Sequence, residues 1–466
     1  MRDPHSSRWL AAIEDEMRSM RTNKVWDLEE IPKGVKTVGC KWVYKTKCDS
    51  KGNIERHKAR LVAKGFTQRE GIDYTETFLH VSSKDSFRII MALVTHYDLE
   101  LHQMDVKTAF LNGDLYENVF MAQPKGFVVK GKENLGCRLK KSIYGLKQAS
   151  RQWYLKFDKT IRSFDFKKIL RTIAFIQMLY VDDILLASSD MNLLLETKNF
   201  LSSNFDMKDL GEASYVLGIE IHRDRKKGVL GLSQKAYIEN ILKRYSIHKC
   251  KASPVPIGDV FRNFQCPKNK YEIDRMKSVP YASAVGGIMY AQVCTRPDLA
   301  FTTGMLGRYQ KNPRVEHWIA VKKTLRYLQG TKSLVLTYRK SNALEIVGYS
   351  DADMARCRDT RKSTLSYIFT LAGGAISLKV VDSIEKPLKL YCDNEPAISY
   401  SYNNKSSNAT KYIDIKYYVV KEKVQDQTIM LEYTKSEQML ADPLSKVLSP
   451  KKFIEHVAGM GLKEDL

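Results

Sequence analysis

Ile176-Gln177-Met178-Leu179-Tyr180-Val181-Asp182-Asp183-Ile184-Leu185-Leu186-Ala187 reads as two short apolar β-runs bent at a pair of acids. Two adjacent carboxylates in so apolar a hairpin are expensive to bury as bare charges. A divalent cation offsets that cost, and hard Mg²⁺ prefers carboxylate oxygens. Side chains alternate across a strand, so the two acids cannot contribute equally at one point. An isolated Asp-Asp is more often a solvated turn; the apolar flanks argue against that here. Upstream, Asp105 ends the extended run Glu100–Asp105, inside Gln103-Met104-Asp105-Val106-Lys107-Thr108-Ala109-Phe110. The expectation is that Asp182 joins Asp105 as a principal metal ligand, with Asp183 nearby in a lesser role.

The charge around this hairpin is strongly positive. Lys and Arg number 76 against 53 Asp and Glu, a net +23 over 466 residues. With 43% hydrophobic residues the chain has enough apolar material for real cores, which excludes a disordered tail. The surplus points to a polyanionic partner held through phosphates, rather than to a merely soluble basic protein. Its location sharpens the choice. Between Lys33 and Arg69 there are eleven Lys and Arg against only Asp49 and Glu55, with Trp42, Tyr44 and Phe66 among them. Val38–Lys47 and Ile54–Lys64 read as β-runs joined through Asp49-Ser50-Lys51-Gly52, a basic hairpin suited to gripping phosphates.

Several classes drop out. No window holds the ~18 uninterrupted apolar residues of a membrane span, and the polar start Met1-Arg2-Asp3-Pro4 gives no expectation of a secretory signal. Eight cysteines occur without a Cys-x-x-Cys pair, against a zinc site or a disulfide framework. Elsewhere, Leu10, Ile13, Met17 and Met20 stripe a helix over 7–23. Another helix is expected near Ser86–Thr95. Pro254, Pro256, Pro267 and Pro280 mark a linker over 252–280. Thr295-Arg296-Pro297-Asp298 has the form of a capping box, and Trp318, Val321, Leu325 and Leu328 stripe a helix that Gly330 ends.

A succession of motifs then carries a resemblance. Lys41-Trp42-Val43-Tyr44, Lys58-Ala59-Arg60-Leu61-Val62-Ala63-Lys64-Gly65, Gly71-Ile72-Asp73-Tyr74 and Met104–Gly113 come first. Tyr144-Gly145-Leu146-Lys147-Gln148-Ala149, Tyr180-Val181-Asp182-Asp183, Thr295–Asp298 and Tyr349-Ser350-Asp351-Ala352-Asp353 follow in order. Together they resemble the reverse transcriptase and ribonuclease H part of a copia-type LTR retrotransposon Pol polyprotein, over almost the whole chain.

The resemblance implies an α+β fold: a right-hand polymerase with fingers, palm and thumb, then a connection, then a ribonuclease H-like α/β domain. The implied divisions are an N-terminal helix over 1–25, reverse transcriptase over 26–251, linker and helical connection over 252–345, and the ribonuclease H-like domain over 346–466. Asp105, Asp182 and Asp183 match the polymerase acids, which would hold two Mg²⁺. Phe110 matches the ring under the incoming sugar, where a 2′-hydroxyl would collide. Lys58 and Arg60 match cations for the nucleoside triphosphate, and Gln148 a glutamine near nucleotide and template. Asp351, Asp393 and Asp442 match three of four ribonuclease H acids. The implied partners are an RNA template, a DNA primer or RNA–DNA hybrid, and deoxynucleoside triphosphates, with no membrane. The implied setting is the cytosol first and the nucleus later.

Two departures qualify this. Between Ser377 and Leu390 the family's Ser-Ser-x-Glu-Ala-Glu-Tyr helix, which bears the second catalytic glutamate, has no counterpart. The ribonuclease H-like site is therefore expected to be inactive. Between Trp153 and Tyr180 the family's further Asp-centred strand is also missing. Ser150 and Leu79-His80 stand where the family has proline and Ala-Pro. A shortened, decayed copy is the economical reading, and a catalytically dead nucleic-acid-binding remnant is the alternative to an active polymerase.

Overall fold

The computed structural model describes residues 6–48, 53–78, 84–164, 175–258, 261, 265–353, 364–376, 387–403 and 415–464. The chain is mixed α/β and divides into two units. The first comprises Met1–Val81 and Leu101–Glu212; the second comprises Ser82–Glu100 and Ala213–Leu466.

In chain order the first half runs α1 (Ser6–Thr22), β1 (Trp26–Glu30), β2 (Cys40–Cys48), β3 (Ile54–Ala63), α2 (Lys84–Tyr97), β4 (Glu100–Val106), β5 (Phe120–Met121) and β6 (Leu135–Leu139). Then come α3 (Ala149–Ser163), β7 (Phe175–Tyr180), β8 (Asp183–Ser188), α4 (Met191–Asn204) and β9 (Met207–Glu212). The first unit holds a β2–β3 hairpin, a three-stranded sheet ordered β1-β6-β5 and a four-stranded sheet ordered β7-β8-β4-β9.

The basic hairpin forms in antiparallel register from Cys40 opposite Ala63 to Lys45 opposite Lys58. Its expected turn, 49–52, lies outside the described residues. Strand alternation buries Ala59, Leu61 and Ala63 and leaves Lys58 and Arg60 half-buried on the other face. At the end of β3 the Ala63 amide donates to the Tyr144 carbonyl at 2.8 Å. Here two backbones touch: a Cβ on Gly65 would lie 2.0 Å from the Gly145 carbonyl, and one on Gly145 (φ +92°) 2.2 Å from that of Ala63. Only glycine fits this crossing.

Helix α1 packs along β3 and differs from its expected stripe. Met17 and Met20 are buried, but Leu10 is exposed and Glu16 is buried instead. The reason is a hydrogen bond: Glu16 Oε1 accepts the Leu61 amide at 3.1 Å. Trp9 adds ring contacts to His57 and Tyr44, with centroids 4.4 and 5.3 Å apart. Burial pushes the Glu16 carboxyl above its ordinary range, against the pull of the Leu61 amide, Arg60 and Lys58. With the folded-state value raised, the stability this group offers is full at acid pH and is lost as pH rises through that value. Glu16→Gln keeps an acceptor without the charge. Thermal melts should place the variant above the parent at neutral pH, with the gap closing near pH 4, the ordinary carboxylate range. A gap independent of pH would refute this.

The second unit takes α2 and continues with β10 (Tyr215–Val216), β11 (Ile219–Asp224), β12 (Val229–Ser233), α5 (Lys235–Arg244), α6 (Lys270–Lys277), α7 (Tyr281–Cys294), α8 (Ala300–Gly307), α9 (Val315–Gly330) and β13 (Val335–Arg339). It ends with β14 (Val347–Asp353), β15 (Thr364–Leu371), β16 (Gly374–Ile376), β17 (Leu388–Cys392), α10 (Glu395–Tyr402), α11 (Ile415–Gln425), β18 (Ile429–Tyr433), α12 (Pro450–Gly459) and β19 (Leu462–Lys463). One sheet is ordered β10-β11-β12-β13-β19 and the other β16-β15-β14-β17-β18; β14–β17 and β17–β18 are its parallel pairs. The division at Glu212 falls inside the stretch 26–251, and residues 82–100 join the later part of the chain. Helix α2 packs on β12, β13 and β16, and Arg223 donates to the Leu99 carbonyl at 2.7 Å.

Two local expectations are corrected. The proline-rich stretch 252–280 contains α6, capped by the Asn269 side chain on the Glu272 amide at 2.9 Å. Thr295–Asp298 is no capping box, for Asp298 accepts from Arg296 Nε and Nη2 (3.0 and 2.8 Å), both side chains wholly buried. No helix among the described residues is long and apolar enough to cross a membrane.

Candidate active site

Strand β4 carries Asp105 half-buried between buried Met104 and Val106. Beside it, Tyr180 pairs with Asp183 across the β7–β8 hairpin, leaving Val181 and Asp182 as a two-residue turn. Val181 sits at φ +59°. For a β-branched residue the left-handed region costs about 1–2 kcal/mol, so neighbours must hold the turn. The Val106 amide donates to the Asp182 carbonyl at 2.8 Å, and Trp153 Nε1 donates to the Val181 carbonyl at 2.6 Å. Asp182 is thereby tied to the residue after Asp105.

The electrostatics follow from this packing. Burial, and next the Asp182 charge, push the Asp105 carboxyl above its ordinary range, while Lys58, Lys47 and Lys208 pull it back. Asp183 is also raised, first by burial. Its Oδ1 accepts from Gln103 Nε2 at 2.9 Å. Oxygen ligands that destabilise one another as anions fit a hard divalent cation. These three acids do not form a cluster in which all three ligand atoms converge.

The other site residues lie along the hairpin and the segment before α3. Burial lowers the Lys58 ammonium, with the Arg60, Arg56 and Lys47 charges acting in the same sense. Arg60 lies over the Tyr144 ring, 4.4 Å from its centroid, and that ring meets Phe110 edge-on at 5.0 Å. Burial pushes the Tyr144 phenol up to about 12. Gln148 is fully buried; its Nε2 donates to the Asp73 carbonyl at 2.9 Å and its Oε1 accepts from Gln68 at 3.0 Å. Its amide is spent on holding the 68–73 loop.

In the second unit Asp351, Asp393 and Asp442 do converge, with ligand oxygens within 4.8 Å of one another. Lys446 is already among them, 2.7 Å from Asp442 and 3.7 Å from Asp351. Ser445 donates to Asp351, and Ser436 to Asp393 at 3.0 Å. Burial raises the Asp442 carboxyl, which Lys446 opposes and the two other acids reinforce. The carboxylate set fits a divalent ion, which would compete with the lysine. Sequence reasoning missed Trp153, Gln103, Tyr144 and Lys446. Tyr144 and Gln103 stood inside quoted stretches, but Trp153 and Lys446 act through folded contacts that no spacing announces.

A family model described as reverse transcriptase (RNA-dependent DNA polymerase) matches residues 23–259. This chain belongs to the reverse transcriptase family. The Pol polyprotein of transposon TNT 1-94 from Nicotiana tabacum is 40% identical over 497 residues, covering 97% of this chain and 37% of that one. That of transposon RE1 from Arabidopsis thaliana is 33% identical over 503 residues, covering 98% and 34%. A putative transposon Ty5-1 protein of Saccharomyces cerevisiae is 30% identical over 285 residues, covering 59% of this chain and 91% of that one. This reverse transcriptase-family chain thus spans about a third of its plant relatives, copia-type Pol polyproteins. The 497 matched positions exceed its 466 residues, so the tobacco relative carries residues that this chain lacks within the matched span. The two shortened intervals are where such losses were expected; 165–174 and 377–386 lie outside the described residues, as does Leu79-His80.

Proposed function

We propose that this reverse transcriptase-family chain is the RNA-directed DNA polymerase of a copia-type retrotransposon, extending a DNA primer on an RNA template with deoxynucleoside triphosphates. The observation that carries this reading is Asp105, destabilised as an anion by burial and by Asp182, beside a cationic hairpin. Asp105 and Asp182 would hold the metal, with Asp183 assisting. When bound, a pair of Mg²⁺ activates the primer 3′-hydroxyl and stabilises the leaving pyrophosphate. Lys58 and Arg60 offer the triphosphate its countercharge, and the Phe110 ring, braced by Tyr144, excludes a 2′-hydroxyl. Gln148 shapes the wall behind the nucleotide through the 68–73 loop. On this reading fingers, palm and thumb occupy 26–251, the connection 252–345 and the ribonuclease H-like domain 346–466. That last domain holds hybrid without cutting it, since its glutamate-bearing helix has no counterpart. The cytosol is the first setting and the nucleus the later one.

Primer extension of oligo(dT) on poly(rA) with Mg²⁺ tests the proposal, and incorporation of deoxythymidylate is expected. Hybrid binding should weaken roughly 10³-fold or more between 50 and 200 mM salt if six or more phosphates are contacted. A second reading, the dead remnant, is favoured by the residues lost within the matched span. Steeply salt-dependent binding with no extension would establish it.

A further inference from the structure

The β7–β8 turn is held from three sides, and one of its holders belongs to no acid motif. Val106 fixes the Asp182 carbonyl, Gln103 fixes the Asp183 carboxylate, and Trp153 fixes the Val181 carbonyl at 2.6 Å. Trp153 is 2% exposed, on α3, with Phe157 and Phe205 at centroid distances of 5.6 and 5.2 Å. An indole nitrogen can only donate, and a buried one needs a partner. The partner here is the carbonyl of the one turn residue whose backbone is left-handed against its side chain's preference. Released from that bond, Val181 would relax toward negative φ and turn the following peptide, which carries Asp182.

We propose that Trp153 is a positioning residue: its indole N–H latches Val181 in the left-handed conformation that aims the Asp182 carboxylate at Asp105. This rests on the polymerase reading for its metal, but the latch itself is a property of the fold. Because the side chain is packed in an aromatic cluster, Trp153→Phe removes the donor while keeping a ring. Val181 is 37% exposed, so Val181→Asn is tolerated there and favours the left-handed region without help from Trp153.

The test uses the full chain and Mn²⁺ titrated by electron paramagnetic resonance, with Asp105→Asn defining which bound Mn²⁺ belongs to this site. Trp153→Phe should weaken that Mn²⁺ about tenfold, the scale of an outer-shell partner. RNA–DNA hybrid affinity should stay within about twofold of the parent, since phosphate contacts set it. Adding Val181→Asn to Trp153→Phe should restore most of the Mn²⁺ affinity. Hydrogen exchange at the Val106 amide should speed up in Trp153→Phe and slow again in the double variant. Unchanged Mn²⁺ affinity in Trp153→Phe, or no recovery with Val181→Asn, overturns the latch. If Asp105→Asn removes no Mn²⁺, the metal reading fails instead. The Val106 amide then decides alone, and unchanged exchange in Trp153→Phe overturns the latch.

Discussion

Asp105→Asn and Asp182→Asn should each cut primer extension at least about a thousandfold, well beyond the ~10–100-fold that follows loss of an outer-shell partner. Asp183→Asn should cost far less. The asymmetry rests on one contact: Asp105 and Asp183 both feel Asp182 as their chief charged neighbour, but one Asp183 oxygen already accepts from Gln103. An asparagine keeps the volume and an acceptor oxygen but brings no charge to the cation. Single-turnover extension on poly(rA)/oligo(dT) separates the three variants, with hybrid binding as the check on folding. Equal losses at all three positions would mean that Asp183 is as direct a ligand as the others. No loss at Asp105 would end the two-metal account.

The largest stability effect is expected at a buried ion pair that belongs to neither group of acids. Arg296 and Asp298 form an ion pair with both side chains fully buried. Arg296 also donates to the Thr331 carbonyl and hydroxyl at 2.9 and 2.8 Å, and the Tyr327 hydroxyl donates to Asp298 at 2.6 Å. Every polar atom of the pair thus has a partner, which is what makes such a pair tolerable away from water. Arg296→Met leaves Asp298 charged, buried and unpaired, at a cost of about 3–5 kcal/mol. The double variant Arg296→Met/Asp298→Leu should regain much of that loss, because neither charge is then stranded. Urea unfolding of the full chain, followed by tryptophan fluorescence, reads both. A single variant as stable as the parent would show that water reaches Asp298.

The hairpins and long helices were legible because local pattern determines them. The apolar runs around Asp182 and Asp183 became β7 and β8, and the stripe through Val321, Leu325 and Leu328 became α9. Reading failed where a distant atom decides. Leu10 lost its place on the α1 stripe to Glu16 because the Leu61 amide needed an acceptor. Asp298 gave its carboxylate to Arg296 rather than to a helix amide. The same holds at the candidate site. The acids and cations could be named from motifs, yet no spacing shows that Gln148 is consumed by Asp73 and Gln68, or that Trp153 reaches Val181.

Helix α2 carries one more consequence. Phe87, Met91, Ala92 and Val94 on it are buried, covered by strands that the ribosome makes more than 130 residues later, at β12, β13 and β16. A stop codon soon after Glu212 would not release a self-contained first half, because the strands that cover α2 would be missing. It would leave an oily helix bare in the middle of the product, an invitation to clumping and proteolysis. Strands from later in the chain are thereby what keep a helix near its start out of water.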